Sequence, residues 1–212
     1  ERGVYTFCMC PGGSVIASAS AKDEIVVNGM SDFARDAKNA NAAVVVQVYP
    51  SDFADHPLGG MQFQKKMEQD AFRAGGGSGV APATTLGAFL RKEQPRGFGG
   101  VTPSYRPGVA SCDLWRVLPP FVAAGVAEGM KAFGRQLRGF DREDAVLTGV
   151  ETRTSAPLRM LRGENMESVS CAGLYPVGEG AGYAGGIVSA AIDGLKAAET
   201  VIARFAPPNN MV

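Results

Sequence analysis

The rhythm of apolar and polar residues changes several times along the chain, and each rhythm predicts an element. Residues 4–10 (Val-Tyr-Thr-Phe-Cys-Met-Cys) are rich in β-branched and aromatic side chains and predict a strand that Pro11-Gly12-Gly13 ends. Residues 14–18 predict another short β segment, and Glu24-Ile25-Val26-Val27 a third, closed by the turn dipeptide Asn28-Gly29. A polar piece over 32–39 predicts a short helix, and the near-continuous apolar run over 43–49 suits a strand buried on both faces.

From residue 60 to 74 the period lengthens. Phe63, Met67 and Ala71 recur every four residues with Lys65, Lys66, Glu68 and Gln69 between them, the pattern of an amphipathic helix. Gly75-Gly76-Gly77-Ser78-Gly79 reads as a flexible connection. Residues 80–113, rich in Pro, Gly, Ser and Thr, predict only a short helical piece over 86–91. Pro119-Pro120 suits a helix start, where a missing N–H costs little. Val126, Met130, Phe133, Leu137 and Phe140 carry that helix onward, and 145–151 returns to strand character. No internal repeat is visible. The alternation of strands and helices predicts an α/β protein.

The last stretch is the most informative. Residues 173–177 read as a short strand, and five glycines fall within residues 178–186. A helix follows over 187–205, in which Ile187, Ala191, Leu195, Ala198, Ile202 and Phe205 form one apolar stripe while Asp193, Lys196, Glu199 and Arg204 face away. A chain that passes through glycines into a helix N-terminus can present bare N–H groups to an electronegative ligand. The same pattern also serves as a turn that lets a helix pack closely on a sheet, and periodicity does not choose between the two. Glu179, an acid among glycines, tilts the reading toward a ligand, since its carboxylate can accept hydrogen bonds from sugar hydroxyls.

Residues 173–187 (Gly-Leu-Tyr-Pro-Val-Gly-Glu-Gly-Ala-Gly-Tyr-Ala-Gly-Gly-Ile) resemble the C-terminal flavin-binding motif of FAD-dependent dehydrogenases, the NAD(FAD)-utilising dehydrogenases. The resemblance extends to residues 7–13 (Phe-Cys-Met-Cys-Pro-Gly-Gly), 28–31 (Asn-Gly-Met-Ser) and 151–157 (Glu-Thr-Arg-Thr-Ser-Ala-Pro), in the same order. It implies the C-terminal part of a Rossmann-type FAD-binding domain with an inserted α+β cap: residues 1–14 and 145–212 in the flavin domain, 15–144 in the cap that meets substrate. Gly178, Glu179, Gly180, Gly185, Gly186 and Ile187 would hold the cofactor, with Thr154 and Ser155 on a loop bordering it. Such proteins carry a Gly-x-Gly-x-x-Gly βαβ unit near the N-terminus for the FAD pyrophosphate; none stands near the start of this sequence, so the chain is expected to be a fragment whose partner is the remaining half of the flavin domain. The family implies FAD-dependent oxidoreduction of a small-molecule substrate, with a nicotinamide as a possible second partner. The competing reading is a non-catalytic interaction or regulatory module, or one half of a split flavin site.

Composition narrows the rest. Glycine is the one unusual count, 28 of 212 residues, against a typical share of about 7%. With 21 Lys+Arg against 21 Asp+Glu, the net charge is zero, which offers no footprint for a phosphate backbone, and nucleic acid is not expected as a partner. Apolar runs fall far short of the ~20 residues that span a bilayer, so no membrane partner is expected. Residues 1–4 lack a signal-peptide layout, and four scattered cysteines suit a reducing compartment, with the cytoplasm as the expectation. Cys8 and Cys10 would share one face of an extended strand with Cα atoms about 6.6–7 Å apart, too far for an easy disulfide. They read as two small buried residues or, through the resemblance, as a thiol pair facing the flavin; with Arg153, which could bind an anionic substrate group, they are the catalytic candidates. Cys112, Cys171 and His56 show no zinc-ligand spacing, so no metal is expected. His56 reads as a solvated turn residue.

Overall fold

The structure is a computed structural model that describes residues 2–205, so the outer end of the segment 145–212 lies outside the described residues. Among the described residues, six strands and four α-helices follow one another: β1 (Val4–Ala17), β2 (Val27–Ser31), β3 (Asn39–Val46), α1 (Gly59–Ala74), β4 (Ala81–Thr85), α2 (Leu86–Arg91), β5 (Val109–Ser111), α3 (Pro120–Gln136), β6 (Val146–Thr148) and α4 (Ile187–Arg204). The fold is mixed α/β with two three-stranded sheets, ordered β2-β1-β3 and β5-β4-β6. The first sheet is antiparallel, and in the second β4 runs parallel to β5 and antiparallel to β6. Contacts divide the chain into unit 1 (Glu1–Ala54 and Gln62–Thr152) and unit 2 (Asp55–Met61 and Arg153–Val212). β1 runs unbroken across residues 14 and 15.

In unit 1, Pro11-Gly12-Gly13 does not end the first strand. β1 instead continues to Ala17 by inserting irregularities between Phe7 and Cys10 and between Cys10 and Gly13. Left-handed backbone at Cys8 (φ 50) and Gly12 (φ 52) absorbs the extra residues. A Cβ on Gly12 would lie 1.8 Å from the Arg35 carbonyl oxygen, so the strand can pass there only as glycine. β1 pairs with β3 along its first part and with β2 along its second.

Asn28-Gly29 likewise forms no turn. Both residues sit within β2, opposite Ile16 and Val15. The Asn41 side-chain oxygen lies 2.0 Å from where a Gly29 Cβ would be, so the glycine makes room for an amide crossing the sheet. The helix expected over 32–39 is absent, because Arg35 donates to the Asp32 carbonyl in a turn and Ala37 donates to Gly12 on β1. The valine-rich strand stops at Val46 and is half-buried rather than buried on both faces, as befits an edge of its sheet.

The core of unit 1 gathers Ile25, Val27, Leu86, Phe89, Leu114, Val126 and Met130, all nearly inaccessible. Burying Leu86 and Phe89 contributes about 1.5–3 kcal/mol each. β4, the fully enclosed centre of the second sheet, was hidden by its composition: Ala, Pro and Thr read as loop until neighbours cover both faces. α2 follows it at once, with the Thr85 hydroxyl accepting from the Ala88 N–H. Phe89 stacks on Trp115 at 5.4 Å between centroids, and the indole N–H donates to the Phe89 carbonyl at 2.9 Å.

α1, α2, α3 and α4 match their predicted positions closely, and α3 ends at Gln136 with Phe140 on the following turn, edge-on to Phe133. Glu68 departs from the helical pattern. Assigned to the polar side of α1, it is only 2% exposed, and its carboxylate accepts the Thr152 hydroxyl at 2.5 Å while its carbonyl accepts the Ile25 N–H.

Candidate functional site

Unit 2 is built around the glycine-rich loop and α4. The strand expected over 173–177 does not form: Gly173 closes a turn with φ 78, and residues 174–177 join no sheet among the described residues. The shape of this segment is fixed by side chains instead. Arg162 donates to the Pro176 carbonyl at 2.7 Å and forms a two-pronged pair with Asp193, at 2.6 and 3.0 Å. Asp193 also accepts the Gly178 N–H at 2.8 Å. The Arg162 guanidinium lies 3.6 Å from the Tyr183 ring centroid, and the Tyr183 hydroxyl donates to the Met160 carbonyl. Within the loop, Gly182 donates to the Glu179 carbonyl and Tyr183 to the Gly178 carbonyl. Arg162 holds the Asp193 carboxyl at about 2, with the Gly178 N–H adding to the depression.

Asp193 reverses the expected orientation of α4. The apolar stripe was expected to face the protein and Asp193 to face solvent. In unit 2, Asp193 and Ala197 are the buried positions of the helix, while Ile187, Leu195 and Ile202 are 92, 65 and 74% exposed. The pattern rightly marks an amphipathic helix, but the inward face of this unit is the one that carries the ion pair.

The helix start is bare. Gly186, the N-cap, offers no side-chain cap, and the first helix amides have no partner within the helix. A Cβ at Gly180 or Gly185 would meet no atom within 4 Å, so no side chain of the described residues fills the space beside them. The Glu179 carboxylate, half-buried, has no hydrogen-bond or ion-pair partner among the described residues. In the same unit, the Thr154 hydroxyl is buried without a partner, an arrangement that asks for a ligand or water to complete it. Ser155 and Arg153 are exposed. Gly178, Glu179, Gly180, Gly185, Gly186 and Ile187 thus lie on the loop that leads into α4, with Thr154 and Ser155 in the same unit. Donor amides, an acceptor carboxylate and an unsatisfied hydroxyl are the groups that a nucleotide rich in hydroxyl and carbonyl groups requires, so the residues present fit FAD in their chemistry.

Sequence reasoning missed Arg162 and Asp193 as the pins of this loop. The one available signal was an acid at mid-helix with the small residues Ser189, Ala190 and Ala197 one turn away on the same face.

The remaining candidates lie elsewhere. Cys8 and Cys10 belong to unit 1 as free thiols, Cys8 exposed and Cys10 half-buried, so neither is a buried core residue. The irregularity between Phe7 and Cys10 breaks the strict alternation that would have put both on one face. Burial and the nearby Glu151 push the Cys8 thiol up, and burial raises the Glu151 carboxyl. The strand character expected over 145–151 is confined to β6, which ends at Thr148, so Glu151, Arg153 and Ser155 lie outside any strand. His56 sits in an exposed turn and its Nδ1 accepts the Leu58 N–H at 3.1 Å. Among the described residues no three His, Cys, Asp or Glu side chains gather as a metal site, and no helix is long and apolar enough to cross a membrane.

Comparison with known proteins places the chain in a family. A protein of Clostridium beijerinckii, described as an uncharacterized protein, is 50% identical over 209 residues. That match covers 98% of this chain but 39% of the relative, so the chain spans well under half the length of that protein. The family description "FAD-dependent protein, C-terminal domain-like" matches residues 1–154, which takes in unit 1 and the Thr154 hydroxyl but stops short of the glycine loop. The chain belongs to the FAD-dependent protein, C-terminal domain-like family.

Proposed function

We propose that this chain is the C-terminal part of a FAD-dependent oxidoreductase, contributing one side of the flavin site while the rest of a longer polypeptide supplies the other. The observation that carries the reading is the uncovered state of α4: an amphipathic helix with Ile187, Leu195 and Ile202 in solvent, starting in bare amides beside a pinned glycine loop. Apolar surface of that extent calls for a cover. The family membership makes a flavin domain the fitting one, Rossmann-type in its completed form, to which residues 145–212 would belong.

FAD, when bound, supplies the redox chemistry. This chain's part is to bind and orient it. Glu179 would accept hydrogen bonds from sugar-chain hydroxyls, and the Thr154 hydroxyl would gain the partner it lacks. The positive end of α4 would favour an electronegative group by roughly 0.3–1 kcal/mol. Ser155 and Arg153 would border the site, Arg153 as a cation for an anionic substrate group. Unit 1 would carry the cap that meets a small-molecule substrate.

The test is Glu179→Ala in the complete flavoprotein. The variant is expected to lose FAD on gel filtration, read as a lower A450 to A280 ratio, with the fold retained by circular dichroism. An unchanged ratio counts against the assignment.

A further inference from the structure

Unit 1 contains a cleft of about 280 Å³ between the end of β1 and the turn at Arg106-Pro107. Its floor is β1 from Gly13 to Ala17, and its polar side chains include Asp32 and Arg106. The orientation of the β1 backbone there follows from the register. Val15 stands opposite Gly29 on β2, yet its N–H donates to the Ser104 hydroxyl at 3.0 Å, away from β2. Ser18 donates to Val26 on the β2 side. In an antiparallel ladder the groups alternate in direction, so the Ala17 N–H and the Val15 carbonyl also point away from β2. β3 covers that edge only as far as Gly13. The turn cannot complete the ladder at Pro107, which has no N–H, and the Tyr105 carbonyl is already taken by the Gly108 N–H. Neither the Ala17 N–H nor the Val15 carbonyl has a hydrogen-bond partner among the described residues.

We infer that this uncovered edge of β1 binds a short zwitterionic peptide in extended form. The second residue of a dipeptide supplies both missing groups at strand spacing: its N–H donates to the Val15 carbonyl and one of its carboxylate oxygens accepts from the Ala17 N–H. Arg106 takes the terminal carboxylate and Asp32 the ammonium, while Met30, Ala37 and Pro107 give the apolar wall. The volume lies just under the range of about 300–1,000 Å³ typical of small-molecule sites, which selects an occupant of about two residues. The inference stands apart from the flavin reading, since every group it uses is in unit 1.

Titration of the ¹⁵N-labelled chain with Ala-Ala is expected to give saturable shifts at the Ala17 amide and the Arg106 side chain. Ala17→Pro removes the donor without touching the β1–β2 ladder and is expected to weaken binding about five- to tenfold, the worth of one hydrogen bond. Arg106→Gln is expected to weaken Ala-Ala while leaving the weaker binding of its C-terminal amide unchanged, and it carries the test if Ala17→Pro fails to fold. Absence of saturable shifts at Ala17, or equal affinity of Arg106→Gln for the two probes' parent acid as in the unsubstituted chain, overturns the inference.

Discussion

Replacing Asp193 by Asn keeps the side-chain shape and removes the charge that pins the glycine loop. Asp193 ordinarily would titrate near 3.8 and is held at about 2. At about 1.4 kcal/mol per pH unit, that depression corresponds to about 2 kcal/mol. Side-chain exposures of 11 and 12% for Arg162 and Asp193 leave some contact with water, which lowers the figure toward about 1 kcal/mol. Because the folded-state value is depressed, the contribution is fully present above pH 3.8 and is lost as pH falls through about 2. The assay is amide hydrogen exchange in unit 2, read at Gly178, whose N–H bonds to Asp193. Asp193→Asn should speed exchange at Gly178 by about five- to thirtyfold at neutral pH, the factor that 1–2 kcal/mol represents. The unsubstituted chain should approach the variant's rate as pH falls from 4 toward 2, after correction for intrinsic exchange. Equal protection of Gly178 in both proteins at neutral pH would refute the claim that this ion pair sets the loop.

Gly12→Ala should destabilise unit 1 by about 2 kcal/mol or more, because it combines positive φ with a Cβ 1.8 Å from the Arg35 oxygen; urea unfolding followed by Trp115 fluorescence reads this, and an unmoved midpoint contradicts it. The raised Cys8 thiol should react with iodoacetamide near neutral pH more slowly than free cysteine despite its exposure, and Glu151→Gln should speed it. Equal rates for Cys8 with and without Glu151 would remove the carboxylate from that account.

The three long helices α1, α3 and α4 were legible because their stripes repeat over four or five turns, long enough for periodicity to outweigh composition. Strands were legible only where the chemistry was overt. β1 was visible in its Val-Tyr-Thr-Phe start, but its continuation through Pro11-Gly12-Gly13 depends on Arg35 and Ala37 lying beside it, a contact from a distant segment. Asn28-Gly29 carries strong turn chemistry and is nonetheless strand, since pairing with Val15 and Ile16 overrides local preference. The glycine loop was found from its spacing, whereas Asp193 and Glu68 were misread for one reason. A buried acid with a partner looks, in sequence, like any solvated acid until the Arg162 or Thr152 that satisfies it is placed.

The pinning of residues 176–183 has a further effect on recognition. Many phosphate- and sugar-binding loops order only when their ligand arrives, and the lost chain entropy subtracts from affinity. Here the Arg162 guanidinium grips Pro176, Asp193 and the Tyr183 ring at once. The loop is therefore preorganised from beneath, with the amides at the α4 start left out of the network. An incoming cofactor would find the receptor already in shape, and its contacts would appear as residence time rather than being spent on folding.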